Sequence, residues 1–352
     1  MRILTVIGAR PQFIKAFVVS RELGPDKEEV LVHTGQHYDK ELSDIFFEQL
    51  GMPEPDYNLG VGSDTHGRQT AAMLKDIEKI IEAEDPDVLL LYGDTNSTLA
   101  GAIAGSKMDP AVAHVEAGLR SYNCEMPEET NRVLTDHASD ILFAPSELAV
   151  ETLAEEGITD GVYFVGDVMY DAILWAQEVA EERSEILEEL SVEEGEFTLA
   201  TVHRASNTDD PGNLKAIIKG LADAPSPVLA PLHPRTEERL KEHDLWGQAC
   251  ESLIIIDPVG YLDFIRLLDT AKRVATDSGG VQKEAFYLDT PCVTMRDKTE
   301  WVETVECGWN VLVGADTHKI KNALENSEWP DERPSIYGQG NTANQIIEIL
   351  SE

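Results

Sequence analysis

Cysteine is scarce: Cys124, Cys250, Cys292 and Cys307 are the only four in 352 residues, far apart and with no C-x-x-C pair. That spacing offers neither a disulfide framework nor a zinc signature, so reduced thiols are expected. Positive charge is also short, with 28 Lys and Arg against 66 Asp and Glu, a formal net charge of −38. Affinity for nucleic acid or an anionic membrane comes from clustered cations, so neither partner is expected, and an anionic substrate must meet a local basic pocket. No apolar run approaches the roughly 18 residues of a membrane span. Only seven residues precede Gly8, too few for a signal peptide, so a cytoplasmic location is expected.

What is present is the composition of a globular protein, 42% hydrophobic and 27% charged. A length of 352 residues suggests about two domains. The carboxylate excess fits a salt-rich cytosol, where counterions screen the self-repulsion of the compact state.

Short apolar runs alternate with amphipathic stretches, the pattern of βα units and a mostly parallel sheet. Strands are expected at 3–7, 30–34, 87–92, 111–115, 140–144 and 162–165, then at 197–202, 227–232, 253–256, 273–276, 292–295 and 310–313. Helical patterns lie between them, near 12–22, 39–50, 66–83, 96–106, 128–138 and 146–156, and later at 211–223, 261–271 and 281–288. The fold class is therefore α/β, with two Rossmann-like doubly wound domains. The boundary is expected near Gly166-Asp167, giving domains 1–166 and 167–340, with an amphipathic helix from Asp171 to Ser191 and a final helix at 341–352 that could pack back on the first domain.

In open parallel sheets, ligands bind beyond the C-terminal ends of the strands. After the first strand, Gly8-Ala9-Arg10-Pro11 with Lys15 puts two cations at a helix start, either an anion site or a plain glycine turn. In the second half, Asp277-Ser278-Gly279-Gly280 lies between a strand and a helix. Adjacent glycines let amides approach a phosphate, Ser278 adds a hydroxyl, and Glu284 could accept from a ribose; a simple tight turn is the competing reading. Asp94 and Glu116 follow apolar strands and Glu128 opens a helix, a set suited to acid and base chemistry, against an Asx turn for Asp94 and a helix-start interaction for Glu128. His203 and His233 also end strands, where an imidazole can balance a pyrophosphate or simply pack.

No G-x-x-x-x-G-K-[ST] and no G-x-G-x-x-G after the first strand is present, so ATP hydrolysis and nicotinamide binding gain no support. His114-x-Glu116 lacks the second histidine of a zinc site. No metal and no redox cofactor are expected.

Gly8-Ala9-Arg10-Pro11 with Lys15, Gly93-Asp94-Thr95, His114-Val115-Glu116-Ala117-Gly118-Leu119-Arg120, Pro127-Glu128-Glu129 with Asn131-Arg132, Asp257-Pro258 with Tyr261 and Phe264, and Thr276-Asp277-Ser278-Gly279-Gly280 occur in this order along nearly the whole chain. Together they resemble the non-hydrolysing UDP-N-acetylglucosamine 2-epimerase family. The resemblance implies a glycosyltransferase-B-like architecture with the nucleotide sugar in a cleft, a C-terminal helix crossing back, and a homodimer. It implies that Asp94, Glu116 and Glu128 are the acid/base candidates and that His203 works near the leaving pyrophosphate. By the same resemblance Arg10, His233, Ser278, Gly279 and Gly280 bind phosphates, Glu284 the ribose, and Phe264 lies by the uracil. The implied reaction removes the C2 proton and expels UDP from C1, then adds UDP back to the 2-acetamidoglucal with protonation from the other face.

Three features depart from the family pattern. Ala9 stands where Thr is common, Gln12 where Glu is common, and Thr299-Glu300-Trp301-Val302-Glu303 where T-E-R-P-E is common. They resemble the branch acting on UDP-2,3-diacetamido-2,3-dideoxyglucuronate, which stays as an alternative substrate. Gln36-His37-Tyr38 lacks the arginine of the block that the resemblance ties to activation by substrate. Other readings are a UDP-sugar glycosyltransferase, which would consume an acceptor; a nucleotide-sugar-binding protein without catalysis; and a hydrolysing epimerase releasing free sugar.

Overall fold

The computed structural model describes residues 1–36, 53–326 and 328–352. The helix expected at 39–50, and His37 and Tyr38, lie outside the described residues. The chain divides into two compact units, Met1–Ala172 with Ser335–Glu352, and Ile173–Pro334.

The first unit is built on β1 (Arg2–Ile7), β2 (Glu28–His33), β3 (Tyr57–Asn58), β4 (Val88–Tyr92), β5 (Ala111–Val115), β6 (Ile141–Ala144) and β7 (Val162–Phe164). They form a parallel sheet in the order β3-β2-β1-β4-β5-β6-β7. β4 is buried along its full length, as its Val-Leu-Leu-Leu-Tyr sequence requires of a strand covered on both faces. The helix His66–Glu84 meets the sheet with Met73, Ile77, Ile80 and Ile81, which recur at three- and four-residue spacing on one side.

The second unit repeats the design with β8 (Thr198–Thr201), β9 (Val228–Pro231), β10 (Ile254–Ile256), β11 (Arg273–Thr276), β12 (Cys292–Thr294) and β13 (Asn310–Leu312). Its sheet is parallel, in the order β10-β9-β8-β11-β12-β13. One core cluster joins Leu214, Ile217 and Leu221 of the helix Pro211–Ala222 to Ile320 and Leu324 of the helix Thr317–Asn326. In both sheets the strand order reverses once, between β1 and β4 and between β8 and β11. Those two points are where an open sheet of this kind takes a ligand.

The stretch Asp171 to Ser191 is not one helix. It forms Val168–Arg183 and Ile186–Leu190, broken where Ser184 Oγ donates to Asp263 Oδ1 at 2.6 Å. The units part inside the first of these helices, at Ala172–Ile173, rather than at Gly166-Asp167. The chain returns to the first unit already at Ser335, ahead of 341, because Asp167 N donates to Tyr337 O at 2.9 Å. The last helix, Thr342–Ile349, packs on the helix Arg10–Arg21, and its start is held by Asp171 Oδ2, which accepts from Ala343 N at 2.8 Å. Among the described residues no helix is long and apolar enough to cross a membrane.

Candidate active site

In the first unit the switch point lies between the turns after β1 and β4. Gln12, one turn into the helix Arg10–Arg21 and buried, ties them together. Its Oε1 accepts from Gly8 N at 2.8 Å and Ala9 N at 3.0 Å, while Nε2 donates to Tyr92 O at 2.6 Å. The amides of Gly8 and Ala9 are therefore engaged by Gln12. Arg10 opens the helix, and its side chain lies outside the described residues.

Lys15, one turn further, donates to Glu116 Oε2 in a tight ion pair whose side chains are each 10% exposed. Burial works against the Lys15 ammonium, yet Glu116, with Asp167 and Asp94 farther off, raises it above its ordinary proton affinity. Glu116 leaves β5 with φ +74°, a conformation unusual for a residue with a side chain. Its carboxylate is thereby brought over Gly93, the residue before Asp94: a β-carbon placed on Gly93 would stand 3.2 Å from Glu116 Oε2 and 3.7 Å from Lys15 Nζ.

Asp94 is held from the helix Pro127–Ala138. Arg132 Nη2 donates to Asp94 Oδ2 at 2.6 Å, and Asn131 Nδ2 to Asp94 O at 2.9 Å. The same guanidinium reaches Glu129 Oε2 at 3.0 Å. Glu129 also accepts from Ser121 N, Ser121 Oγ and Tyr122 N; burial pushes its carboxyl up, but these donors and Arg132 hold it below the usual range. Glu128 is half-buried, and its carboxylate makes no hydrogen bond or ion pair among the described residues. Four residues before Arg132, it shares the helix face that holds Asp94. Sequence reasoning brings forward Asp94, Glu116 and Glu128. It misses Arg132, Glu129 and Gln12 as working parts, because their partners are remote in the chain.

In the second unit, the buried Asp277 sits at the switch point. Its carboxylate accepts from His203 N at 3.1 and 3.2 Å, Arg204 N at 3.1 Å and Asn207 Nδ2 at 3.0 Å. Burial would raise Asp277, but these donors hold it below the ordinary carboxylate range. His203 Nδ1 lies 3.2 Å from Asp277 Oδ1, with the ring 50% exposed. With Nδ1 facing a carboxylate, the ring is oriented and Nε2 is the nitrogen left for a ligand.

Ser278 caps the helix Gly279–Tyr287, its Oγ accepting from Val281 N at 3.4 Å. The amides of Gly279 and Gly280 make no hydrogen bond within the chain among the described residues, so the first turn presents two donors, as an anion site needs. Glu284 is half-buried further along that helix, and Phe264 half-buried in the first turn of Tyr261–Thr270. His233 Nδ1 accepts from Arg235 N at 3.2 Å, which turns Nε2 to the outside as the nitrogen for a ligand.

A cavity of about 570 Å³ opens in this unit, lined in part by Arg204, Arg296, Lys298 and Lys319. Neither His203 nor the Ser278-Gly279-Gly280 turn lines it, but Arg296 Nη1 lies 3.6 Å from where a Gly279 β-carbon would stand. Against the lining carboxylates of Asp297 and Asp316, four cations leave a net basic surface in an acidic chain, as an anionic ligand requires. Arg296 also binds Glu300 through both terminal nitrogens, at 2.9 and 2.8 Å. Scattered single cations carry no pattern in sequence, so nothing local marks this group. Among the described residues no group of three His, Cys, Asp or Glu is placed to hold a metal ion.

A protein-family model described as UDP-N-acetylglucosamine 2-epimerase matches residues 21–351. A UDP-N-acetylglucosamine 2-epimerase homolog of Methanococcus maripaludis is 51% identical, over 99% of each chain. A UDP-2,3-diacetamido-2,3-dideoxy-D-glucuronate 2-epimerase of Pseudomonas aeruginosa is 50% identical over 100% of each. The crystal structure of Methanocaldococcus jannaschii UDP-GlcNAc 2-epimerase in complex with UDP-GlcNAc and UDP is 43% identical, with a TM-score of 0.82 over 100% of this chain and 99% of that one.

Proposed function

The chain belongs to the UDP-N-acetylglucosamine 2-epimerase family, an epimerase acting on a nucleotide sugar, and from that premise we propose that it interconverts UDP-GlcNAc and UDP-ManNAc without net hydrolysis. The observation that carries the reading is the placement of the Lys15-bound Glu116 carboxylate over Gly93, beside the Arg132-bound Asp94.

In the proposed reaction a carboxylate takes the C2 proton, the C–H electron pair forms the C1=C2 double bond, and the C1–O bond breaks toward the β-phosphate of UDP. The C2 hydrogen is weakly acidic, so proton removal and stabilisation of departing UDP must act together. Asp94, Glu116 and Glu128 are the set from which the base and the acid for the other face are drawn. Lys15 and Arg132 fix two of them, so the acceptor oxygens are oriented before substrate arrives. The pyrophosphate falls to Ser278, the amides of Gly279 and Gly280, His203 and Arg10, with Arg296 supplying charge. Donation from His233, Glu284 on the ribose and Phe264 by the uracil complete the nucleotide contacts.

The 50% identity to the Pseudomonas aeruginosa enzyme supports a second substrate, UDP-2,3-diacetamido-2,3-dideoxyglucuronate, with the same steps. Proton NMR in D2O, with each sugar nucleotide in turn, tests both. C2 deuteration with formation of the epimer and no net UDP release is the expected result, and the sugar that turns over decides between them. Accumulation of free UDP with an acceptor would replace the reading by glycosyl transfer, and free sugar by hydrolysis. The same reading carries a homodimer, a cytoplasmic and salt-adapted enzyme, and a product destined for cell-surface polysaccharide or protein glycosylation. Sedimentation in concentrated salt tests the dimer.

A further inference from the structure

Asp136, near the end of the helix Pro127–Ala138, is fully buried and has no part in the chemistry above. Its Oδ1 faces His114 Nδ1 at 2.7 Å, and its Oδ2 accepts from Gly118 N at 3.1 Å and Arg120 Nη1 at 2.7 Å. His114 Nε2, on the other side of the ring, lies 2.7 Å from Gly93 O. A carboxylate stands on one side of the ring and a carbonyl on the other, so His114 bridges Asp136 to the turn that carries Asp94. Arg120 continues to Glu156 with two contacts of 2.8 Å. The Arg120 guanidinium thus stands between the buried Asp136 and the partly exposed Glu156, so the Asp136 charge is paired where it is buried.

One carboxylate therefore reaches both turns that carry the first unit's chemistry. Through Gly118 N it closes Glu116-Ala117-Gly118, and through His114 it holds the carbonyl of Gly93, immediately before Asp94. The first of these turns does not form unaided. Glu116 has φ +74° and Gly118 φ +82°, and a β-carbon on Gly118 would come within 2.3 Å of Ala149 O. Such a conformation persists only where surrounding contacts over-determine it.

We propose that Asp136 is a positioning residue that sets the Glu116 and Asp94 carboxylates relative to each other by clamping both turns. The proposal rests on the reading of those two carboxylates as reacting groups.

The test is Asp136→Asn, which keeps the size and turns one acceptor into a donor. Hydrogen–deuterium exchange should rise together around 90–98 and 114–120 and stay unchanged in the peptides of 198–326. Epimerisation should lose about a hundredfold in kcat, the scale of a roughly 1 Å misplacement, with KM and UDP affinity little changed. In a Glu116→Gln background the same substitution should add little, because two residues acting through one function are not additive. Exchange that rises in only one segment or in neither, or losses in kcat that multiply in the double variant, would overturn the proposal. Should Asp136→Asn not fold, His114→Gln breaks the link to Gly93 alone and should loosen 90–98 with a similar loss in kcat; an unchanged exchange pattern there would equally overturn it. If the wild-type enzyme exchanges no C2 hydrogen, the catalytic reading fails, while the exchange measurement still decides the clamp.

Discussion

Glu116 Oε2 lies 3.2 Å from the point at which Gly93 would carry a β-carbon. Gly93 has φ +63°, so an alanine there meets both a left-handed backbone, costing roughly 1–2 kcal/mol, and a carboxylate already paired with Lys15. Gly93→Ala should displace Glu116 from Asp94 and abolish most C2–H exchange while leaving UDP affinity, for which the proposed contacts lie mainly on the second unit, largely intact. Isothermal titration with UDP beside the exchange assay separates the two effects; equal loss of both would contradict the assignment.

The Lys15–Glu116 pair is nearly excluded from water, so removing one partner strands a buried charge. Lys15→Met and Glu116→Gln should each destabilise the protein by about 3–5 kcal/mol. The double variant leaves no buried charge and should recover much of that loss without recovering activity. Thermal melts of the four proteins, read as a double-mutant cycle, give the coupling; additive losses would mean that the pair does not act as one unit.

The strands are legible because parallel strands covered on both faces are continuous apolar runs, and β4 and β6 announce themselves in this way. β3, with two residues, and polar helices such as Pro234–Glu242 leave no such trace. The break at Ser184 depends on Asp263, 79 residues away, and cannot be seen from the periodicity of 171–191. The candidate site follows the same division. Asp94, Glu116 and His203 stand where strands end, which a local pattern marks. Lys15 meets Glu116 across 101 positions and Arg132 meets Asp94 across 38, contacts that only the strand order brings about.

Acid sensitivity follows from carboxylates held below their ordinary values, among them the well-buried Asp136, Asp277 and Glu129. Burial acts to raise each, and their donors outweigh it. A carboxyl depressed in the folded state stabilises fully above its unfolded value near 4, and the contribution is lost as pH falls through the folded value. Glu29 and Asp171, raised by burial, act in the opposite sense, favouring the folded state below their unfolded values and losing that contribution as pH rises through their folded ones. The melting temperature should therefore fall on acidification below about pH 4, and Asp277→Asn should make that fall shallower while lowering stability at pH 7. A series of melts from pH 7 to pH 2.5 at fixed salt checks the sign, and an acid limb unchanged in the variant would rule out Asp277 as a contributor.

Salt acts on the same molecule at longer range. With a formal charge of −38, the carboxylates repel one another over a screening length of about 10 Å at 0.1 M salt, which shrinks to about 3 Å at 1 M. Exposed pairs such as Lys241–Glu237 contribute little on their own. Self-repulsion should therefore dominate at low ionic strength and be screened in molar KCl, raising the melting temperature and slowing loss of activity over days. The buried pairs of the first unit are screened far less, so the double-mutant coupling between Lys15 and Glu116 should change little over the same range. A melting temperature indifferent to KCl from 0.05 to 3 M would mean that the acidic surface is not a salt adaptation. A coupling that falls in parallel with screening would place the Lys15–Glu116 pair in solvent, against its burial.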